Sequence, residues 1–191
     1  MLTRLLNYLS RKIYYLRNRK KFAYLSPNAI VQKLLRLDGC ENISIGNQVT
    51  IQKMTWLGAV PLTGAGKCKL TIGDGSVIGH FNHIFATGEI TIGKKVLTAD
   101  KVYISDNQHQ YDNIEKAILD QPIKQFPPIS IGDGTWIGEN VCVMGASIGK
   151  NCIIGANSVV NKSIPDYCIA VGAPAKVIKK YNIETKKWEK V

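Results

Sequence analysis

The chain of 191 residues is 45% hydrophobic and 20% charged, which is typical of a soluble globular domain long enough to bury one sizeable core. Residues 1–21 account for seven of its 11 net positive charges and hold no acid. Because the other basic residues are not interleaved with aromatic residues along a helix, the composition argues against nucleic-acid binding. The five cysteines are scattered without a Cys-x-x-Cys pair, which disfavours disulfides or zinc and fits a reducing compartment.

An amphipathic basic helix is predicted at the amino terminus, within residues 1–27. Apolar residues recur there at helical spacing, with arginine and lysine between them; they are Leu2, Leu5, Leu6, Leu9, Ile13 and Leu16. The segment lacks the uninterrupted apolar run of a signal peptide or a membrane span. Two interpretations stay open. The apolar face packs on the body of the protein or on a neighbouring subunit, or it attaches peripherally to an anionic membrane face.

Residues 28–42 are expected to connect this helix to a six-residue repeat. An aliphatic residue followed by glycine recurs in two blocks; the pairs are Ile45-Gly46, Ile72-Gly73, Ile78-Gly79, Ile92-Gly93, Ile131-Gly132, Ile137-Gly138, Ile148-Gly149 and Ile154-Gly155. A period of six fits neither a helix nor a plain half-buried strand, but it fits a coil of short strands. One branched side chain per strand then points inward and stacks on its counterpart one coil away, and glycine is expected to supply a positive φ at the corner.

Three irregularities interrupt the repeat. The prolines and glycines of residues 61–66 predict a loop that crosses between coils, and a five-residue step over residues 143–148 predicts a shortened corner. Between residues 105 and 128 the repeat stops in a long polar excursion that contains His109. Because a long excursion from a rigid scaffold is usually functional, His109 is the first candidate for chemistry.

The motifs IGDGTWIGENV, IGANSVVNKSIP and VGAPAKVIKK together resemble the hexapeptide-repeat acyltransferases, in particular the branch that acetylates sugars, antibiotics and polysaccharide precursors from acetyl-CoA. The resemblance covers roughly residues 43–180. It implies an all-β fold, a left-handed parallel β-helix over residues 28–180, with a projecting catalytic loop at residues 105–128. It also implies a cyclic homotrimer whose neighbouring subunits complete the site. The charged tail, residues 181–191, is expected to be peripheral and to form a short helix.

By the same resemblance, the catalytic residues lie in the sequence Asp106-x-x-His109-x-Tyr111. His109 would be the general base that removes the proton of an acceptor hydroxyl, a role that neutral imidazole fills near pH 7. Asp106 would fix the tautomer of that imidazole, and Tyr111, Asn82 and His83 would line the acceptor pocket. The alternative interpretation of His109 is a histidine on a solvated loop without a chemical task.

The resemblance also places acetyl-CoA, the acyl donor, along the coil edges. The pantetheine arm needs a narrow groove with small residues, and the phosphates need basic residues; the matching positions are Trp136, Glu139, Ala156, Asn161, Lys162, Lys176 and Lys179. A backbone N–H between Trp136 and Glu139 is a candidate donor to the developing oxyanion. The alternative interpretation of the three lysines is solvated surface charge.

The predicted function is therefore acetyl transfer from acetyl-CoA to a saccharide hydroxyl by a cytoplasmic enzyme, at the inner face of the membrane if the amino-terminal helix binds there. A surface polysaccharide or lipopolysaccharide precursor is the preferred acceptor. The alternatives are N-acetylation of an amino sugar, acetylation of a xenobiotic, and a catalytically silent solenoid that acts as a scaffold. No metal is expected. A zinc-dependent carbonic anhydrase, which the same fold also hosts, needs three convergent ligands, whereas His80 and His83 are expected to face opposite sides of a strand.

Overall fold

The structure, a computed structural model, describes residues 2–64 and 66–191, with the backbone alone for residues 2–8. Helix α1 spans Leu2–Asn18, and short 3-10 helices span Cys40–Asn42 and Ile118–Asp120. The first twelve strands are β1 (Tyr24–Leu25), β2 (Ile30–Val31), β3 (Arg36–Asp38), β4 (Ile43–Ile45), β5 (Thr50–Ile51), β6 (Trp56–Ala59), β7 (Lys69–Ile72), β8 (Val77–Ile78), β9 (His83–Ala86), β10 (Glu89–Ile92), β11 (Leu97–Thr98) and β12 (Tyr103–Ser105). The other strands are β13 (Asn107–His109), β14 (Ile123–Gln125), β15 (Ile129–Ile131), β16 (Trp136–Ile137), β17 (Cys142–Met144), β18 (Ile153–Ile154), β19 (Val159–Val160), β20 (Cys168–Val171), β21 (Lys176–Asn182) and β22 (Lys187–Lys190).

Up to β17, each coil of the chain adds one strand to each of three parallel sheets, and the last coils add strands to the second and third alone. The first sheet has the order β1-β4-β7-β10-β15, the second begins β2-β5-β8-β11-β16-β18-β20, and the third has the order β3-β6-β9-β12-β17-β19. The fold is therefore the predicted left-handed parallel β-helix. At the 2–3 corner of the β-helix the chain passes from the second sheet to the third. At the 3–1 corner it passes from the third sheet to the first.

The interior is the predicted ladder of aliphatic side chains. Ile45, Ile72, Ile92 and Ile131 lie in register on successive strands of the first sheet, and none is more than 1% exposed. Full burial of one such side chain contributes about 1.5–3 kcal/mol. Because every coil repeats this contact, the β-helix is a rigid scaffold for whatever projects from it.

The glycines of the Ile-Gly pairs do not supply the positive φ, so the predicted reason for them is wrong. The positive φ falls two residues later, for example at Lys95 (φ 52°) after Gly93. A Cβ atom on Gly73 would lie 2.6 Å from the carbonyl carbon of Gly93 in the next coil. These glycines are required because neighbouring coils meet there backbone to backbone.

The β-helix begins earlier than predicted, because residues 24–38 already form its first coil. Strands β1, β2 and β3 pair in parallel with β4, β5 and β6. Leu25, Val31 and Leu37 keep the six-residue spacing, but no glycine follows any of them. The coil was not recognised because the repeat was identified by pairs of an aliphatic residue and glycine. The amino-terminal element accordingly ends at Asn18 and not at residue 27.

The carboxy-terminal tail forms a β-hairpin, so the predicted short helix is wrong. Strand β21 pairs antiparallel with β20 and with β22, and Tyr181 packs edge to face on Trp188 with ring centroids 5.4 Å apart. Exposed and half-buried residues alternate along Lys176–Asn182, which is the period of a strand. The hairpin extends the second sheet beyond the last coil.

Helix α1 packs on the β-helix through a face that is not its leucine-rich face. Tyr14 and Tyr15 pack against the core, and burial raises the pKa of Tyr14 to about 12. On the opposite face Leu9, Ile13 and Leu16 are 44%, 49% and 64% exposed. The side chains of Leu2, Leu5 and Leu6 lie outside the described ones. The described part of the apolar face, Leu9, Ile13 and Leu16, therefore does not pack on its own β-helix, which corrects that part of the first interpretation.

Candidate active site

A β-hairpin at the 3–1 corner carries His109. Strands β13 and β14 pair antiparallel and place His109 opposite Ile123. Residues 111–120, between the two strands, are all exposed, whereas Gln121 is buried and its side-chain amide donates to the carbonyl of Asn113 at 2.9 Å. The excursion therefore has an ordered base next to the β-helix and a tip that leaves it, as the sequence predicted.

Asp106 anchors the base of this hairpin without contacting His109. Its carboxylate is fully buried and accepts hydrogen bonds from the backbone N–H groups of Thr87 at 2.7 Å and Gly88 at 2.8 Å. Among the residues that the structure describes, Asp106 and His109 share no hydrogen bond. The predicted tautomer-fixing role of Asp106 is therefore corrected: it positions the segment that carries His109.

Gln125 ties the returning strand of the hairpin to the same anchor. Its Nε2 donates to the Asp106 carbonyl at 2.9 Å, and its Oε1 accepts from the hydroxyls of Thr63 at 2.6 Å and Thr87 at 2.8 Å. Thr63 lies in the loop predicted to cross between coils. One side chain thus joins three segments of the chain around the base of the hairpin.

The predicted shortened corner supports the hairpin from below. Gly145 has φ 60°, and a Cβ atom there would lie 2.5 Å from the ring of Phe126, which follows β14. The next turn of the chain reaches the first sheet through Ile148, which bridges Ile131 and Ile164 without forming a strand. The missing residue of the repeat leaves room for the aromatic ring of the excursion.

His109 lies at the edge of an open cavity of about 480 Å³ on the third sheet. The lining residues are Arg36, Trp56, Leu62, His83, Phe85, Tyr103, Asn107, Gln108, His109, Ile123 and Met144. Trp56, His83 and Tyr103 come from consecutive strands in register. Trp56 stacks on His83 with ring centroids 4.0 Å apart, and Tyr103 meets His83 edge to face at 5.1 Å. The cavity therefore has an aromatic wall beside the candidate base.

Of the three residues predicted to line the acceptor pocket, the structure places His83 in this cavity. Burial lowers the pKa of His83, so its neutral form is favoured near pH 7. Asn82 is only 1% exposed and its side-chain amide donates to the carbonyl of Ala99 at 2.9 Å, so it holds the coil together and is unavailable to a ligand. Tyr111 lies at the tip of the excursion, 63% exposed and outside the cavity. The prediction for Asn82 is corrected accordingly, whereas that for Tyr111 stays a prediction, because its exposed side chain is available to a neighbouring subunit.

Three of the predicted cofactor residues meet at the 2–3 corner. Glu139 and Ala156 occupy successive coils, since the backbone N–H of Asn157 donates to the carbonyl of Glu139 at 2.8 Å. Lys176 starts β21 beside them, where the N–H of Ala175 donates to the third sheet at 2.8 Å. The small exposed Ala156 and the basic Lys176 thus lie together at this corner. Glu139 lies there as well, but its carboxylate pairs with Lys101 at 3.2 Å.

The other predicted cofactor residues lie elsewhere on the protomer. Asn161 and Lys162 follow β19 at the 3–1 corner, the same corner that carries His109. Strand β19 is two strands away from β12, which precedes the His109 hairpin, so the two backbones are about 10 Å apart at roughly 4.8 Å per spacing. Trp136 is half-exposed on the second sheet, as is Lys179 on β21. Within the described part of one protomer, the seven residues are thus divided among the 2–3 corner, the 3–1 corner and the second sheet.

Arg36 and Trp56 line the cavity but were not predicted from the sequence. Each lies directly before an inward-facing leucine, as His83 lies before Ile84. Because successive side chains of a strand point to opposite faces, the residue before each inward position belongs to the outer surface of the third sheet. That spacing was a usable signal for Trp56, whereas Arg36 lies in the coil that the repeat did not reveal.

Metal binding and membrane spanning find no support in the described part of the chain. Within residues 2–64 and 66–191, no group of three or more histidine, cysteine, aspartate or glutamate side chains could hold a metal ion. His80 lies at a corner with its Nδ1 3.3 Å from Asp100, away from His83 on β9. The helix that the structure describes is too short and too polar to cross a bilayer.

Comparisons with known proteins agree with this geometry. Residues 128–162 match the family model described as the hexapeptide repeat of succinyl-transferase. A protein of Mycobacterium tuberculosis designated an acetyltransferase is 42% identical over 74% of this chain and 46% of its own length. The Escherichia coli protein WbbJ, designated a lipopolysaccharide biosynthesis O-acetyl transferase, is 39% identical over 65% of this chain and 67% of its own length. The chain thus spans less than half of the mycobacterial relative and about two thirds of the other.

Solved structures support the same fold. The N-acyltransferase AntD of Bacillus cereus, crystallised with dTDP and 3-hydroxybutyryl-CoA, superposes with a TM-score of 0.73 over 90% of both chains, at 20% sequence identity. The parallel β-helix and these likenesses together define the class of fold, that of the hexapeptide-repeat proteins. The chain belongs to the hexapeptide-repeat acyltransferase family, as its motifs predicted.

Proposed function

We propose that the protein is an acetyl-CoA-dependent O-acetyltransferase that acetylates a saccharide hydroxyl of a surface polysaccharide or lipopolysaccharide precursor. The observation that carries the proposal is the position of His109, which lies at the rim of an aromatic-lined cavity on an anchored hairpin. The designation of WbbJ supports the acceptor class, and the acyl-CoA bound to AntD supports the donor. Aromatic walls are suited to the apolar faces of sugar rings.

In the proposed reaction, the imidazole of His109 removes the proton of the acceptor hydroxyl as the hydroxyl oxygen attacks the thioester carbonyl carbon. The tetrahedral intermediate then collapses, the carbon–sulfur bond breaks, and the proton passes to the coenzyme A thiolate. The products are an acetyl ester and free coenzyme A. The N–H groups of Trp136 and Gly138 already bond to the next coil, so the oxyanion is stabilised by other donors, of which the N–H of Glu139 is our candidate.

Release of free thiol from acetyl-CoA, measured across free sugars, nucleotide sugars and lipid-linked glycans, tests the proposed function. The expected product is an acetyl ester, which mild base hydrolyses, whereas an acetamide resists it. An acetamide product would replace O-acetylation by N-acetylation of an amino sugar. Absence of turnover with every acceptor, together with absence of coenzyme A binding, would favour the silent scaffold.

The proposed assembly is a homotrimer in which the tip of the excursion contacts a neighbour. Ile114 and Leu119 at this tip are 97% and 85% exposed, which is unusual for two large apolar side chains on one short segment. A second subunit would bury them and would bring its cofactor residues toward His109. The separate corners that carry the cofactor residues support the same arrangement.

Replacing Ile114 and Leu119 together with serine is expected to convert trimers into monomers and to abolish most of the activity, because the apolar contact and the second wall of the cofactor groove are lost together. Light scattering coupled to size exclusion measures the oligomeric state. Lys116→Ser, at an exposed polar position of the same tip, is the matched control and should leave the trimer intact. A monomeric wild-type protein, or a trimeric double variant, would contradict the proposed role of the tip.

The proposed localisation is cytoplasmic, with peripheral attachment to the inner face of the membrane through α1. The exposed apolar face of the helix and its surplus of basic residues suit a bilayer that contains anionic lipid.

Replacing Leu9, Ile13 and Leu16 with serine is expected to lower binding to anionic vesicles at least tenfold, since burying one leucine contributes about 1.5–3 kcal/mol. Vesicle flotation, with neutral phosphatidylcholine vesicles for comparison, measures retention. Leu35→Ser changes another exposed leucine and should leave retention unchanged. Failure of the wild-type protein to float with anionic vesicles would refute the attachment and favour burial of the helix against a neighbouring subunit.

A further inference from the structure

Arg36 lies at the far end of the aromatic wall from His109. It pairs in register with Trp56 on the next strand of the third sheet, and its guanidinium lies 4.8 Å from the centroid of the Trp56 ring. Arg36, Trp56, His83 and Tyr103 thus form one row across four adjacent strands. Both ends of that row line the same cavity as His109.

The side chain of Arg36 is 61% exposed, and its guanidinium is anchored at the Nε. That nitrogen lies 3.0 Å from one oxygen of Asp38 and 2.7 Å from the other, which also accepts from the indole N–H of Trp56 at 2.8 Å. Among the described residues, the two terminal nitrogens of Arg36 have no hydrogen-bond partner. A planar, oriented guanidinium with a free edge is suited to bidentate recognition of a phosphate or a carboxylate.

The charges of the cavity favour an anion. Among the described residues of its lining, Arg36 is the one permanently charged side chain and none is a carboxylate, while the adjacent Asp38 offsets part of that charge through its ion pair with Arg36. Asp38, which is not among the lining residues, uses both its oxygens for Arg36 and Trp56. Because burial lowers the pKa of His83, its neutral form is favoured near pH 7 and it adds no charge there. A neutral sugar would leave the free edge of the guanidinium to water, whereas an anion would bind it directly.

The separation of Arg36 from His109 indicates where the anion lies on the acceptor. The strand of Arg36 is three strand spacings from the strand that precedes the His109 hairpin, about 14 Å between backbones at roughly 4.8 Å per spacing. Both side chains reach into the cavity and shorten this span. The anionic group therefore belongs at the far side of the sugar from the acetylated hydroxyl, as in a glycosyl phosphate or diphosphate, or on a following acidic sugar.

We propose that the acceptor is an anionic saccharide and that Arg36 selects it by binding its phosphate or carboxylate. The inference rests on the proposed function, since it names the substrate class for the same cavity. A sugar still attached to its nucleotide or lipid carrier, which supplies a diphosphate at the anomeric carbon, and an acidic sugar within the glycan share this chemistry. Acetylation would then precede removal of the carrier in the first case.

Matched acceptors and variants of Arg36 test the proposal. Hexoses and N-acetylhexosamines are offered to the full-length protein as the methyl glycoside, the 1-phosphate, the uridine diphosphate conjugate and the polyprenyl diphosphate conjugate, with methyl hexuronides as the carboxylate arm. Thiol release gives kcat and KM, and calorimetry without acetyl-CoA gives binding of the same compounds. Arg36→Gln removes the charge, Arg36→Lys keeps it without the planar fork, and Lys53→Gln removes an exposed positive charge outside the cavity.

The wild-type protein should prefer an anionic acceptor to its methyl glycoside, and Arg36→Gln should reduce that preference by about 10- to 100-fold, mainly through KM, as for loss of a hydrogen bond to a charged group. Arg36→Lys should restore part of it, and Lys53→Gln should match the wild type. The preferred conjugate identifies the source of the anion. Equal losses on anionic and neutral acceptors in Arg36→Gln, or a wild-type preference for the neutral glycoside, would overturn the inference while leaving O-acetylation intact. Absence of transfer to every acceptor would instead contradict the proposed function, and calorimetry would still show whether anion binding depends on Arg36.

Discussion

Replacing His109 with alanine is expected to lower kcat by about 10²- to 10⁴-fold, the usual contribution of a general base. The imidazole lies at the cavity rim, and within the described residues it makes no hydrogen bond that holds the fold together. Its removal should therefore leave the melting temperature and the oligomeric state unchanged, because exposed side chains without such contacts contribute little to stability. Binding of coenzyme A should also persist, since His109 is not among the proposed cofactor residues. Thiol release at saturating acceptor, with thermal unfolding and calorimetry of coenzyme A binding, measures the three quantities.

His80→Ala is the matched histidine control. His80 lies on the 2–3 corner beside Asp100 and outside the cavity, so its loss should leave kcat unchanged. Gln110→Ala, next to His109 on the hairpin but not in the cavity lining, tests whether any truncation of this segment has the same effect. Full activity of His109→Ala, or an equal loss in Gln110→Ala, would mean that His109 is not the base.

The coil pattern was predictable because it depends on burial. Isoleucine at every sixth position has one physical solution, a ladder of inward side chains, and Ile45, Ile72 and Ile92 occupy it. The glycines were recognised for the wrong reason, since Gly73 is required by contact with the next coil and not by its φ. The first coil was missed because Ser26 and its equivalents replace glycine there, which shows that the ladder and the glycine are separate requirements.

The site was less predictable because it depends on which residues face outward and on the conformation and contacts of the excursion. On the third sheet, the residue before each inward residue points outward, to the side where the cavity lies. That spacing does not distinguish Trp56, which lines the cavity, from a solvated surface residue. Asp106 was assigned to His109 because the two are close along the chain, but its carboxylate accepts from the backbone N–H groups of Thr87 and Gly88 in the preceding coil. Contacts of this kind exist only after the coils have stacked.

Replacing Asp106 with alanine should destabilise the protein and inactivate it together. The carboxylate is fully buried and satisfies two backbone N–H groups of the preceding coil, at Thr87 and Gly88. Leaving a buried donor unpaired costs about 1–3 kcal/mol each, and in a domain of this size 1 kcal/mol lowers the melting temperature by about 2–4 °C. Activity should fall as well, because His109 is carried by the segment that Asp106 anchors.

The paired readout separates this positioning role from the tautomer-fixing role that the sequence predicted. An acid that only orients the imidazole would lower kcat when removed and leave the melting temperature unchanged, as when the base itself is removed. Asp112→Ala, at the exposed tip of the same excursion, is the matched control and should change neither quantity. Asp106→Asn keeps the shape and one acceptor oxygen but turns an amide toward the donors of Thr87 and Gly88, so its stability should lie between those of the wild type and the alanine variant. A stable, inactive Asp106→Ala would contradict the stabilising role of the carboxylate and favour the tautomer-fixing role.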